Sequence, residues 1–240
     1  MILAAGLGSR LRPLTDHTPK ALLKVGDHTL LESLIAKLVE SGIRRIVINI
    51  HHHADQIRDF VTSLNLPGVE IILSDESHRL LDTGGAIKEA APLLNKEPFI
   101  LHNVDILSDI DLAELAHEHL RSDSLVTLAV RKRNSSRYLL FDHHRQLAGW
   151  GDHHTGEKIL VHPPPSEDLA SFAFSGIHVI DPSIFRFMPS DTVFPILPLY
   201  LDLAKTQAIR YYDHSDGVFM DIGKPDALTR ARQFYNSEKQ

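Results

Sequence analysis

Along this chain the spacing of apolar residues switches repeatedly between the short runs of a buried strand and the three-and-four spacing of a helix. Ile2-Leu3-Ala4-Ala5 stops at Gly6 and reads as a strand ending in a loop. Behind Thr29-Leu30-Leu31-Glu32, a capping-box pattern, Leu30, Leu31, Leu34, Ile35 and Leu38 predict a helix that Ser41-Gly42 ends. Arg45 to Ile50 is rich in β-branched residues and suits a parallel strand covered on both faces. A helix over Ala54 to Leu64, a turn at Pro67-Gly68 and a strand over Val69 to Leu73 continue the alternation, which predicts an α/β fold.

Further on, a loop over Leu80 to Gly85 leads into a predicted helix, Ala86 to Leu94, with free amides at its start for a ligand. Strands over Phe99 to His102 and Leu125 to Val130 flank a helix over Asp109 to Leu120 with acids in its first turn. Tyr138 to Phe141 and Leu147 to Trp150, joined by the polar turn Asp142 to Gln146, predict a hairpin. Lys158 to Ser171, containing Pro163-Pro164-Pro165, reads as a surface loop ahead of a strand over Phe172 to Ile180. Pro195 and Pro198 delay the helix within Phe194 to Lys205, and Pro225 opens a last helix through Asn236. No internal repeat stands out, so one domain over 1–240 is expected.

Composition narrows the class. Hydrophobic residues are 43% and charged residues 23%, which excludes a disordered chain and fits a soluble globular one. No apolar run approaches the roughly 20 residues that cross a bilayer, so no membrane partner is expected. Met1-Ile2-Leu3 shows no signal-peptide pattern, and because the chain starts almost inside its first strand, a few residues are expected before Met1. The absence of cysteine removes disulfides, thiolate metal sites and cysteine nucleophiles, and is compatible with the reducing cytoplasm, the expected location.

Charge then points to a ligand. The formal net charge is −6, yet Arg10, Arg12, Lys20 and Lys24 follow the glycine loop Gly6-Leu7-Gly8-Ser9 against only Asp16 and Asp27. Local charge opposed to the global sign suits a polyanion. The dinucleotide fingerprint fails, because Leu11 stands where a small residue is needed, and no G-x-x-x-x-G-K-[ST] occurs. A nucleotide loop of another kind remains.

Leu3-Ala4-Ala5-Gly6-Leu7-Gly8-Ser9-Arg10-Leu11-Arg12-Pro13-Leu14-Thr15, followed by Thr18-Pro19-Lys20-Ala21-Leu22-Leu23, resembles the signature of the sugar-1-phosphate nucleotidyltransferases, or NDP-sugar pyrophosphorylases. The likeness continues in order through Leu81-Asp82-Thr83-Gly84-Gly85-Ala86, Asn103-Val104-Asp105, Phe174-Ser175-Gly176-Ile177 and Met220-Asp221-Ile222-Gly223. It implies a Rossmann-like, GT-A type fold, with a central mostly parallel sheet flanked by helices and a small β-hairpin insertion. The implied reaction joins a nucleoside triphosphate to a sugar 1-phosphate and releases pyrophosphate. Within the family the short uridylyltransferases are most similar, which implies UTP and N-acetylmuramate 1-phosphate as the pair. Guanylyl or cytidylyl transfer to mannose or heptose 1-phosphate or phosphocholine is the rival reaction, and a non-catalytic sugar-nucleotide-binding subunit the rival class.

The resemblance also implies residue roles. Arg10 and Lys20 would be catalytic, clamping the leaving phosphates and the α-phosphate. Leu3, Ala4, Ala5, Gly6, Gly8, Ser9, Thr83 and Gly84 would bind the nucleotide, and Asp82, Gly85, Asn103, Ser175 and Gly176 the acceptor sugar. Asp105 and Asp221 would hold Mg2+, a hard cation suited to carboxylates, phosphate oxygens and water. Asn49, at a strand end, could face the ligand or cap the next helix. His51-His52-His53, His143-His144 and His153-His154 lack the spacing of zinc sites and read as solvated loops. Arg131-Lys132-Arg133 is one short basic run in an acidic chain, so no nucleic acid is expected, and the protein is expected to be a monomer or small homo-oligomer.

Overall fold

The computed structural model describes residues 1–161 and 168–237. Its strands are β1 (Ile2–Leu3), β2 (Lys24–Val25), β3 (His28–Thr29), β4 (Arg45–Ile50), β5 (Glu70–Asp75), β6 (Phe99–Asn103), β7 (Ile106–Ser108), β8 (Val126–Arg131), β9 (Arg137–Phe141), β10 (Leu147–Asp152), β11 (Lys158–Leu160), β12 (Ala170–Ile180), β13 (Ile209–Asp213) and β14 (Phe219–Asp221). Its α-helices are α1 (Leu30–Glu40), α2 (Ala54–Ser63), α3 (Asp82–Glu89), α4 (Ala91–Leu94), α5 (Leu112–Ser122), α6 (Ile196–Leu203) and α7 (Pro225–Ser237). The fold is α/β, with a mostly parallel central sheet, flanking helices and the β9–β10 hairpin. The chain divides into two compact units.

The first unit comprises Met1–Leu80, His102–Leu112 and Gly217–Gln240. Short β1 sits between β4 and β6, with Ile2 opposite Ile48 and His102, and Leu3 opposite Asn49 and Asn103. β5 extends the set on β4, and every one of these pairings is parallel. All four strands therefore release their carboxyl-terminal loops at one edge, where ligands of open α/β sheets bind. Helix α1 buries Leu30, Leu31, Leu34, Ile35 and Leu38, and its predicted capping box is present: Glu32 N–H donates to Thr29 Oγ1 at 3.1 Å and Thr29 N–H to Glu32 Oε2 at 3.3 Å. β7 and β14 form a separate antiparallel ribbon.

The second unit comprises Leu81–Leu101 and Ala113–Asp216. Here β8 pairs antiparallel with β12 and parallel with β13, and β12, β9, β10 and β11 continue as an antiparallel run. The rings of Phe141, Phe172 and Tyr211 pack edge-on or tilted with centroids 4.8–6.3 Å apart, which anchors the hairpin to β13. A bulge interrupts the β12–β8 register between Phe174 and His178, around Gly176 at φ 72°.

Several elements differ from the sequence reading. The expected loop Leu80 to Gly85 is mostly the first turn of α3, because Gly84 and Gly85 admit a neighbouring segment where side chains would block it. A Cβ on Gly84 would lie 2.3 Å from the Phe194 ring, and one on Gly85 2.2 Å from the Thr192 carbonyl oxygen. Lys88 holds the same segment, its ammonium donating to the carbonyls of Pro189 at 2.5 Å and of Ser190 and Asp191 at 3.0 Å. β11 replaces part of the expected loop over Lys158 to Ser171, while Pro163-Pro164-Pro165 lie outside the described residues. β13 was not anticipated: Ile209-Arg210-Tyr211-Tyr212 has little apolar signal of its own and is strand because β8 offers it a ladder.

Gly85→Ala should lower stability by about 1–3 kcal/mol through overpacking against Thr192. Urea denaturation reads this; an unchanged midpoint would show that the 192–196 segment is not clamped by α3.

Candidate active site

At the end of β1 the backbone N–H groups of Ala4 and Ala5 donate to Asn49 Oδ1, at 2.6 and 3.3 Å. Asn49 therefore does not cap α2, whose amino-terminal residue His53 makes no side-chain cap. The loop then turns through Gly8 at φ 63°, a conformation natural to glycine. A Cβ there would come within 2.8 Å of Thr15 Cγ2 and 3.3 Å of Lys20 Cβ, so the bare α-carbon lets the loop lie against Lys20. Thr15 Oγ1 closes the turn by donating to the Gly8 carbonyl at 2.9 Å.

Lys20 is only 8% exposed, and its ammonium donates to Asp105 Oδ2. Asp105 lies between β6 and β7, and its carbonyl accepts the N–H of Ile222 at 2.8 Å. The β7–β14 ribbon sets Asp221 opposite Ile106. Gly223 lies between Asp221 and Arg10: a Cβ on it would lie 2.8 Å from Asp221 Oδ1 and 3.0 Å from Arg10 Nη2. The first unit thus brings Arg10, Lys20, Asp105 and Asp221 together although they span over two hundred residues of chain. Arg12, by contrast, is exposed and pairs with Asp16 at 3.3 Å.

The donor set fits magnesium. Asp105 and Asp221 would hold such an ion by two carboxylates and leave its other positions to phosphate oxygens and water; among the described residues no group of three or more His, Asp or Glu suited to a metal occurs. Lys20 already sets a positive charge against Asp105. Two supporting groups lie beside them. Lys37 donates to the Ser108 carbonyl, holding β7 to α1, and burial pushes its amine below the ordinary value against the opposing pull of Asp109 and Asp111. His102 is fully buried, its ring Nδ1 2.8 Å from the Asn103 carbonyl, and desolvation brings its pKa down to about 4.

The remaining predicted residues belong to the second unit, apart from Asn103 at the end of β6. Asp82 is exposed at φ 60° and accepts the Thr83 N–H at 2.6 Å, and Thr83 Oγ1 accepts the Ile196 N–H at 3.0 Å. The amides of Gly84 and Gly85, expected to be free, donate instead to the Phe194 carbonyl at 2.9 and 3.2 Å. Ser175 is 1% exposed, its hydroxyl 2.7 Å from His214 Nε2. His51 to His53 are half-buried rather than solvated, and His51 Nδ1 lies 2.6 Å from the Glu76 carbonyl. Glu76 itself, 3% exposed, escaped the sequence reading; its one signal is an acid directly after β5.

The sequence of residues 1–238 matches the nucleotidyl transferase family. The chain belongs to that family. N-acetylmuramate alpha-1-phosphate uridylyltransferase of Caulobacter vibrioides is 30% identical over 96% of this chain and 94% of its own. Mannose-1-phosphate guanylyltransferase catalytic subunit beta of Drosophila melanogaster is 27% identical over the whole chain, which spans 63% of that protein. Among solved structures, UDP-glucose pyrophosphorylase of Acinetobacter baumanii shares the fold with a TM-score of 0.81 at 17% identity, covering 99% of this chain and 92% of that one. As a member of this family the protein is a sugar-1-phosphate nucleotidyltransferase.

For this nucleotidyltransferase, Lys20→Met should lower kcat by roughly 10²–10³-fold, the range for removing one group that stabilises transition-state charge. Steady-state turnover checks it, and a loss under threefold would remove Lys20 from the chemistry. Its stability should also fall as pH drops from 6.5 towards 4, because the unfolded chain takes up a proton that buried His102 refuses. That part amounts to about 3 kcal/mol. His102→Leu should flatten this acid limb in urea titrations; an unchanged slope would contradict it.

Proposed function

We propose that this enzyme transfers a uridylyl group from UTP to N-acetylmuramate 1-phosphate, releasing pyrophosphate, with Mg2+ as its cofactor. The observation that carries the reading is the convergence of Arg10 and Lys20 with Asp105 and Asp221 beside the glycine loop. Two cations and two carboxylates in one place suit a metal-bound triphosphate and little else in an acidic protein. The choice of base and acceptor is supported by the two uridylyltransferase relatives, each 30% identical over nearly the whole chain. A guanylyl transfer is the second reading, favoured by the guanylyltransferase relative.

In this reading an acceptor phosphate oxygen attacks the α-phosphorus of the triphosphate, and the bond to the pyrophosphate oxygen breaks. The residues bind and orient, since such a displacement asks for position and charge neutralisation. The loop Leu3, Ala4, Ala5, Gly6, Gly8 and Ser9 holds the nucleotide, Lys20 the α-phosphate and Arg10 the leaving phosphates. Asp105 and Asp221 would hold the magnesium ion, which supplies charge neutralisation when bound. By the same family likeness, Thr83 and Gly84 are proposed as nucleotide contacts, and Asp82, Gly85, Asn103, Ser175 and Gly176 as contacts of the sugar. With the amides of Gly84 and Gly85 engaged, Asp82 is the exposed acceptor there for a hydroxyl.

The reading treats residues 1–240 as one nucleotidyltransferase domain, acting in the cytoplasm as a monomer or small homo-oligomer. The family match over 1–238 supports the extent, and no helix of the described residues is long and apolar enough to cross a membrane.

Pyrophosphate release should be fastest with UTP and N-acetylmuramate 1-phosphate in a panel of four triphosphates and several sugar phosphates. Faster release with GTP and mannose 1-phosphate would replace the first reading by the second, and no release with any pair would sink both.

A further inference from the structure

We infer that Asn49 and Glu76 form a positioning relay that sets the nucleotide loop, so that Glu76 governs triphosphate affinity without touching the ligand. The inference rests on the reading of Leu3 to Arg10 as the nucleotide loop. Asn49 is 3% exposed and gives both ends of its amide to the structure. Its Oδ1 accepts the N–H groups of Ala4 and Ala5, at 2.6 and 3.3 Å, and its Nδ2 donates to Glu76 Oε1 at 2.9 Å. The order of the atoms matters. If the amide were turned over, an NH2 would face two N–H donors and an oxygen would face a carboxylate; the acceptor oxygen of Glu76 and the two backbone donors therefore dictate together which end addresses the loop.

Glu76 is itself held on every side. Its N–H donates to the Ile50 carbonyl at 2.8 Å, its own carbonyl accepts the Arg79 N–H at 2.9 Å and lies 2.6 Å from His51 Nδ1, and its side chain meets Asn49. A carboxylate 3% exposed is costly to bury and is tolerated where hydrogen bonds compensate it. The chain of contacts runs from the end of β5, through the end of β4, to the first two residues after β1. Because Leu3 O also accepts the Val104 N–H at 3.1 Å, the loop's root is pinned on both sides, by Val104 and by Asn49. Moving that root displaces the whole loop, and positioning errors of this kind weaken binding steeply.

The relay is tested by exchanging its partners. Asn49→Asp keeps an acceptor for Ala4 and Ala5 but sets a second carboxylate against Glu76. Glu76→Gln alone keeps an acceptor for Asn49 and should bind UTP within about twofold of wild type. Asn49→Asp alone should weaken UTP binding by about tenfold or more, measured by calorimetry on the full chain with Mg2+. The pair Asn49→Asp with Glu76→Gln, in which glutamine donates to aspartate, should restore it, while KM for the sugar 1-phosphate stays level throughout. Wild-type affinity in Asn49→Asp, no recovery in the pair, or an equal rise in both KM values would overturn the relay. Wild-type protein that binds none of the four triphosphates would instead overturn the nucleotide-loop reading.

Discussion

A lysine ammonium removed from water and set against an aspartate is the contact on which the rest of this site depends. Neither partner gains much from the pairing alone, because the loss of hydration offsets most of the attraction. Its consequence is geometric. For Lys20 to reach Asp105, the loop after β1 must fold back over it, which the left-handed Gly8 permits, and the segment after β6 must turn towards it, which the β7–β14 ribbon secures. The same ribbon delivers Asp221, and Gly223 leaves room for the Arg10 guanidinium beside it. In place of bulk water, a triphosphate bound here would meet fixed charges that need no reorganisation.

Backbone donors are managed with equal economy. The parallel strands of the first unit end at one edge and leave N–H groups that a ligand or the protein must satisfy. At Ala4 and Ala5 the protein satisfies them through Asn49; in the second unit, at the start of α3, the Phe194 carbonyl likewise takes the amides of Gly84 and Gly85. Gly8, Gly84 and Gly85 thus serve close approach of one part of the protein to another. Gly84 and Gly85 each have another part of the chain where a side chain would stand.

How much of this was legible follows from what each residue depends on. The α1 capping box, the limits of β4 and the hairpin β9–β10 arise from local preferences, and local sequence carried them. Motif likeness singled out Arg10, Lys20, Asp105 and Asp221, and the structure accounts for their meeting by strand pairing that periodicity alone does not reveal. β13, Glu76 and the engagement of the Gly84 and Gly85 amides were not legible, since each is decided by a partner far away in sequence: β8, Asn49 and Phe194. Polar residues at strand ends are where this limit is sharpest, because the same asparagine can cap, bind or brace.

The central claim is that Asp105 and Asp221 act together as the seat of the metal that accompanies the triphosphate. Calorimetric titration of UTP into wild type and into the Asp105→Asn, Asp221→Asn double variant, each with and without Mg2+, addresses it most directly. The account predicts that Mg2+ strengthens binding to wild type, while the variant binds UTP with the same affinity in either condition. A variant whose affinity still rises with Mg2+ as much as that of wild type would contradict it.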